Sequence, residues 1–248
     1  SARSEALADI SRSLEAIAKE LAHRIPGARI QIGRAHNMAT KLAISLEDAH
    51  IKVEPNQILR GSVYPPETRD LCGAAQTFFE MFVSARTLSM ADLYGGKLCA
   101  ALDRQHPRDL YDVRLLMENE GLTTQVRRAF VVYLASHDRP MHELLDPQFK
   151  DITKVQNAEF AGMANEVVPV KALCETREHL VTSIRQGLDA DEKRFLVSMK
   201  LGEPEWDALG IADLRKLPAL QWKLQNIRRM AAAKRQSALK NLQKALGM

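Results

Sequence analysis

The segment Leu93-Tyr94-Gly95-Gly96-Lys97-Leu98-Cys99-Ala100-Ala101-Leu102-Asp103-Arg104-Gln105-His106-Pro107-Arg108-Asp109-Leu110-Tyr111-Asp112-Val113 decides how this chain is read. At 3.6 residues per turn, Lys97, Arg104, Arg108 and Asp112 return to nearly one helix face, within about a quarter of a turn of each other. The other faces carry Leu98, Ala100, Leu102, Leu110, Val113 and Leu116, so the polar stripe is set in core-forming helix. Pro107 removes an internal hydrogen bond and biases His106 away from helical geometry. Two helices are therefore expected to meet there, with Pro107 in the first turn of the second.

Two readings of the stripe stand side by side. Arg104 and Arg108 can pair with Asp103, Asp109 and Asp112 along and between helices, each exposed pair giving roughly 0 to 1 kcal/mol. Alternatively, the guanidinium forks and the compact lysine charge converge on a phosphate-bearing polyanion, for which both groups are suited.

Outward from this segment, 248 residues that are 46% hydrophobic and 27% charged describe a globular chain large enough for two moderate domains. Cys72, Cys99 and Cys174 are few, odd in number and widely separated, which points to neither a disulfide framework nor a zinc site. A reduced, cytoplasmic setting is expected. The longest apolar run, Ala129 to Ala135, is far short of the roughly 20 residues that span a bilayer, so no membrane partner is expected. His137 and His142 are five apart and do not align on a helix.

Upstream, Leu7, Ile10, Leu14, Ile17 and Leu21 recur at helical spacing and predict a helix over about 3–24, packed on a sheet and ended by Pro26-Gly27. Strands are expected near 29–33, 40–46, 50–54, 57–64 and 77–83, with a loop from Pro65-Pro66 to Asp70. Downstream of Leu122 the pattern is helical, near 124–136, 146–163, 169–187, 191–201, 211–216 and 218–246. The expected organisation is an α+β unit over 1–120, joined near Glu120-Gly121-Leu122 to an all-helical domain over 121–248 that ends in a basic helix.

That last stretch, from Leu214 to Met248, holds nine lysines and arginines and no acid, against a formal net charge of +4 for the chain. The segregation suits binding to a phosphate backbone, with Arg228, Arg229, Lys234 and Arg235 as candidate contacts. Leu217, Leu220, Leu224, Ile227, Ala231, Leu239, Leu242 and Leu246 form an apolar stripe on the same segment, so a docked helix with a solvated basic back is the alternative. Trp222 is expected in the core.

The segment from Lys97 to Asp112 resembles the helical signature of the AbiEii/AbiGii nucleotidyltransferase toxins, in which a lysine precedes an Arg-Asp-hydrophobic-aromatic-Asp element. Ile51-Lys52-Val53-Glu54-Pro55-Asn56, followed by Leu59-Arg60-Gly61-Ser62-Val63, resembles the same family's strand with a late acidic residue. The resemblance implies a DNA polymerase beta type of nucleotidyltransferase mixed sheet with helices, and a toxin of type IV toxin-antitoxin or phage-exclusion systems. It further implies that an NTP donates a nucleotide to an RNA acceptor, transfer RNA included, that magnesium is the cofactor, and that a cognate antitoxin is a partner.

Carried over residue by residue, the resemblance makes Glu54 the third metal-binding carboxylate, Lys97 with Arg104 or Arg108 ligands of the triphosphate, and Asp112 an essential partner of the nucleotide or of those arginines. Asp109 orients Arg108 in this reading. The superfamily's first motif, a Gly-Gly or Gly-Ser turn followed by Asp-x-Asp, does not stand in its expected place. Neither Gly187-Leu188-Asp189-Ala190-Asp191 nor Gly95-Gly96 fits as a displaced copy. The expectation is thus of a family member without its N-terminal catalytic strand, or of a binding module for RNA or an antitoxin that keeps the phosphate-binding face.

Overall fold

A computed structural model describes residues 2–55 and 61–248. The chain is α+β and divides into two compact units, 1–59 and 60–248. In the first, helix α1 (Ala2–Arg24) covers an antiparallel meander of β1 (Arg29–Ala35), β2 (Met38–Leu46) and β3 (Ala49–Val53). The β1–β2 turn places His36 and Asn37 at φ 48° and 65°. Two consecutive left-handed residues make the tight hairpin turn whose twist matches that of the strands, and they set the register that pairs Ala35 with Met38. Leu14 and Ala18 of α1 meet Ala39 and Leu42 of β2 in a small core flanked by Ile10, Ile30, Ile32, Ile44 and Val53. Ser11 Oγ accepts from the Ala39 amide at 2.8 Å and pins the helix to the sheet. Ile17, expected on the buried stripe, is exposed.

The second unit opens with an antiparallel ribbon of β4 (Glu67–Asp70) and β5 (Ser84–Thr87), closed by α2 (Gly73–Phe79). Here the structure corrects two expectations. Glu67–Asp70 is a strand and not a loop, because Ser84–Thr87 supplies its ladder. Most of 77–83 is helix and turn and not a strand, with Glu80 left-handed at φ 48° and Phe78, Phe79 and Phe82 exposed. The strands of this α+β fold form two antiparallel sheets among the described residues. Residues 57–60 of the expected strand over 57–64, and the motif residues Asn56, Leu59 and Arg60, lie outside the described residues, while 61–64 form no strand.

Helices α3 (Met90–Arg104), α4 (Pro107–Asn119) and α5 (Thr124–Ser136) follow, then the short α6 (Met141–Leu145) and one turn, α7 (Thr153–Val155), running into a π-turn over Gln156–Phe160. The remainder comprises α8 (Val170–Gly187), α9 (Ala190–Leu201), α10 (Pro218–Arg229) and α11 (Ala232–Ala245). A helix through 146–163 does not form. The Gln105 side chain instead binds the extended backbone there, donating to the Gln148 carbonyl at 2.8 Å and accepting from the Lys150 amide at 3.0 Å. Nor is 218–246 continuous: Met230 and Ala231 are extended, which turns α11 back onto α9 and α6. Trp222 is 51% exposed, outside the core.

The division at 59/60, and not at 120/121, has a packing reason. Leu98, Ala101 and Leu102 of α3 are buried in one core with Phe130 and Leu134 of α5 and Phe195 and Met199 of α9, so the chain on both sides of Gly121 shares its apolar interior.

Two local features set the position of α3. Asp92, 1% exposed, accepts from the amides of Val63 (2.7 Å) and Tyr64 (2.9 Å), from Ser89 Oγ (2.9 Å) and from the Tyr133 hydroxyl (2.5 Å). Gly95 lies where a Cβ would come within 2.8 Å of both the Ala129 Cβ and the Phe130 amide nitrogen, whereas a Cβ at Gly96 would meet nothing within 4 Å. The two glycines thus part company. Asp92→Ala strands two amides and a phenol and is expected to lower unfolding stability by about 3 kcal/mol or more. Gly95→Ala is expected to cost about 1–3 kcal/mol by overpacking, and Gly96→Ala to be neutral or to stabilise by up to about 1 kcal/mol. Urea unfolding of the three variants checks all three values.

Candidate functional site

The charged stripe is built by the corner between α3 and α4. Ser89 caps α3 by accepting from the Asp92 amide, and the helix ends at Gln105, left-handed at φ 55°. His106 then caps α4, its ring nitrogen accepting from the Arg108 amide at 3.2 Å, and Pro107 occupies the first turn, where a missing N–H costs nothing. The expectation of two helices meeting at Pro107 is met.

Across this corner, Lys97 Nζ donates to Asp112 Oδ2, and the side chains of the pair are 32% and 36% exposed. Arg104 donates to Asp109 Oδ1 at 2.8 Å, with Asp109 largely buried and Arg104 mostly exposed. The second carboxylate oxygen of Asp109 is buried and takes no hydrogen bond among the described residues. Arg108 is exposed on the first turn of α4 and has no carboxylate partner among the described residues. Asp109 thus serves Arg104 and not Arg108, contrary to the expected pairing. Asp103 leaves the stripe altogether to bind Arg139 at 2.8 Å.

Tyr94, three residues before Lys97, completes the cluster. Burial, then Glu120, raises its phenol above the ordinary value, with Lys97 opposing and Asp112 adding to the rise. Sequence reading gave Tyr94 no role, although residues three apart on a helix are neighbours and the spacing to Lys97 was available.

Glu54 lies in the first unit, exposed just beyond β3, with Oε1 3.9 Å from Lys52 Nζ. This is the edge pairing of an ordinary surface strand. Among the described residues, no group of three His, Cys, Asp or Glu side chains is placed to hold a metal ion. The described residues by themselves thus place Glu54 in no cluster of metal-binding carboxylates.

The basic end of the chain is partly committed to structure. Lys223 Nζ donates to the carbonyls of His137 and Asp138, at the C-terminal end of α5, and Arg228 donates to the Gly202 carbonyl at 3.1 Å, at the end of α9. Cations there meet unpaired carbonyls and the negative end of the helix dipole. Arg229 and Lys234 are exposed and Arg235 half-buried. Lys200, buried on α9, has its ammonium pKa lowered by burial and then by Lys234.

Two measurements follow from this geometry. Because Lys97 and Asp112 are each about one third exposed, solvent screens their attraction, and a double-mutant cycle of Lys97→Ala and Asp112→Ala is expected to give no more than about 1 kcal/mol of coupling in stability. Lys200 has a folded-state pKa below its unfolded value, so the unfolded chain holds more protons between the two values and stability rises with pH across that window. Lys200→Met is expected to stabilise the protein at neutral pH, by something on the order of 1 kcal/mol. The advantage should shrink as pH rises toward the ordinary lysine range, as read by thermal unfolding at several pH values.

Among the described residues, no helix is long and apolar enough to cross a membrane. Comparison with curated proteins and with solved structures gives no match. A family model described as "AbiEii: Nucleotidyl transferase AbiEii toxin, Type IV TA system" matches residues 1–226, taking in the first unit, most of the second and the whole Lys97–Asp112 corner. The chain thus belongs to the AbiEii nucleotidyl transferase toxin family of type IV toxin-antitoxin systems.

Proposed function

We propose that this chain transfers a nucleotide from an NTP to an RNA acceptor, with transfer RNA the leading candidate, and that the Lys97–Asp112 corner binds the triphosphate. The observation that carries the reading is the ion pair itself: an ammonium and a carboxylate from two helices meet while remaining partly open to solvent. In nucleotidyl transfer, an acceptor hydroxyl forms a bond to the α-phosphorus while the bond to the departing pyrophosphate breaks. Negative charge grows on the leaving group, and fixed cations at that point lower the barrier.

Lys97 is suited to that task because its ammonium can exchange one oxyanion partner, Asp112, for another on the triphosphate without being carried into solvent. Asp112 is the positioning residue that holds the Lys97 ammonium across the α3–α4 corner. Arg108, exposed and without a carboxylate partner among the described residues, is the cation most available to a second phosphate. Arg104 reaches the same region while held by Asp109. These roles belong to the chain's own cations and carboxylates; magnesium, expected from the family resemblance, would neutralise further charge on the triphosphate. The natural setting is the cytosol, where NTPs and RNA are found, with an antitoxin as the cognate partner implied by the family's type IV assignment.

The test combines calorimetry of NTP binding with incorporation of labelled nucleotide into pooled RNA. Lys97→Ala is expected to weaken NTP binding about tenfold and to lower transfer by about 10² or more. Asp112→Asn should lower transfer while retaining most of the binding. Unchanged binding and transfer in Lys97→Ala would overturn the assignment.

One observation favours a second reading, a binding module for RNA or an antitoxin without turnover: the described residues supply Glu54 alone of the expected metal carboxylates, and it is engaged with Lys52. NTP and RNA binding with no labelled product under any divalent cation would favour that reading. Charge reversal at Arg228, Arg229, Lys234 and Arg235 separates the contribution of the basic end, because RNA affinity should fall and its salt dependence flatten if these residues meet phosphates.

A further inference from the structure

The C-terminal end of α3 opens onto a cavity of about 680 Å³, walled by the 146–150 segment together with residues of α6, α8 and α11. Its size is that of a small-ligand site. Gln105, on its wall, is eight residues from Lys97, which is roughly 12 Å along a helix axis, so the cavity is separate from the Lys97–Asp112 pair.

Three properties of the wall point to one class of ligand. Phe149 lines the cavity and is 46% exposed. One face of its ring is taken by the Arg177 guanidinium, 4.3 Å from the centroid, so the exposed part is the other face and the edge. A ring held from behind and open in front is a stacking platform.

Arg177 itself is unusual. It is 4% exposed and donates to Gln105 Oε1 (2.8 Å) and the Lys150 carbonyl (2.8 Å), while its Nε is buried without an acceptor. Among the described residues no carboxylate pairs with it. Buried charges are normally paired with an opposite charge. Arg177 therefore stands behind Phe149 as a buried cation held by neutral oxygen acceptors, with no carboxylate partner among the described residues.

The rim extends the same pattern. Arg139 is neutralised by Asp103 and Glu143, and Arg185 is paired with Asp146. Lys150 is held by the carbonyls of Asp103 and Arg104, and Lys244 is exposed at the rim, neither paired with a carboxylate among the described residues. The surplus is positive, and it surrounds an aromatic face.

We propose that this cavity binds a nucleotide unit, its base stacked on Phe149 and its phosphate drawn to Lys244 and Lys150. An aromatic platform beside cations is the arrangement that holds single-stranded nucleic acid with little regard to sequence. The same chemistry is presented by a free nucleotide and by a nucleotide within an RNA strand. The site does not depend on the transfer reading of Lys97.

The test uses the full chain with two probes, a 5′-ribonucleoside monophosphate and a short single-stranded oligoribonucleotide, titrated by calorimetry and fluorescence anisotropy. Phe149→Ala and Lys244→Glu are each expected to weaken binding at least about tenfold, and Phe149→Tyr to retain it. Lys97→Ala should leave this binding in place, which keeps failure of the transfer reading distinct from failure of this one. Binding of the mononucleotide assigns the cavity to free nucleotide, and binding of the oligonucleotide alone assigns it to RNA. Thermal unfolding checks that Phe149→Ala is folded; if it is not, Lys244→Glu, an exposed substitution, decides the matter with Phe149→Tyr. Absence of binding by both probes, or affinity unchanged in the folded variants, overturns the proposal.

Discussion

A single buried carboxylate organises the start of the second unit. Asp92 gathers the Val63 and Tyr64 amides, the Ser89 hydroxyl and the Tyr133 phenol, and so ties the entering strand of chain and helix α5 to the first turn of α3. A buried carboxylate is tolerated only when its lone pairs are occupied, which makes the arrangement all-or-none: lose a donor and the remaining charge is exposed to a low-dielectric interior. Everything downstream on α3 inherits its position from this point. Gly95 then lets the backbone of α5 come into contact one turn later, and Lys97 emerges from a helix fixed both at its end and along its flank. A charged pair displayed on such a frame keeps its geometry without having to supply stability of its own.

The distribution of cations follows a second physical rule. Several of them donate to helix C-terminal carbonyls: Lys150 and Arg139 on α3, Lys223 on α5 and Arg228 on α9. Those ends carry unpaired acceptors and the negative pole of the helix dipole, and a lysine or arginine reaching in from another element satisfies both. The positive charge of the acid-free stretch from Leu214 onward is therefore not all free at the surface. Part of its charge is internal adhesive, and what remains available for phosphate is the subset that no carbonyl or carboxylate has claimed.

Much of this architecture is legible in residue order, and the exceptions have identifiable causes. The helices around Pro107 and the one from Thr124 to Ser136 are marked by strong apolar periodicity bounded by Ser89, His106 and Thr123, each of which caps its helix through its side chain. The alternation in 77–83 looked like a strand because phenylalanine and valine favour one, but pairing between Glu67–Asp70 and Ser84–Thr87 leaves the intervening chain to close the ribbon. The helix expected at 146–163 gives way because the Gln105 amide, more than forty residues earlier in sequence, satisfies the backbone of 148 and 150 in extended form. The break at Met230-Ala231 contains neither glycine nor proline, so only the packing of α11 reveals it.

Residue order by itself determined the α+β class, the helical corner at Pro107, the family to which the Lys97–Asp112 signature points, and the segregation of positive charge to the end of the chain. These are properties of local spacing, and local spacing is what helical periodicity and capping express. Tertiary structure alone decided which charges meet. Lys97 joined Asp112 across fifteen residues, Arg104 took Asp109, Asp103 left for Arg139, and Arg177 came to rest behind Phe149 with no acid beside it among the described residues. Pairing of this kind depends on the angle between helices and on the burial each side chain receives. Both are set by the shared core of α3, α5 and α9, which no run of consecutive residues contains.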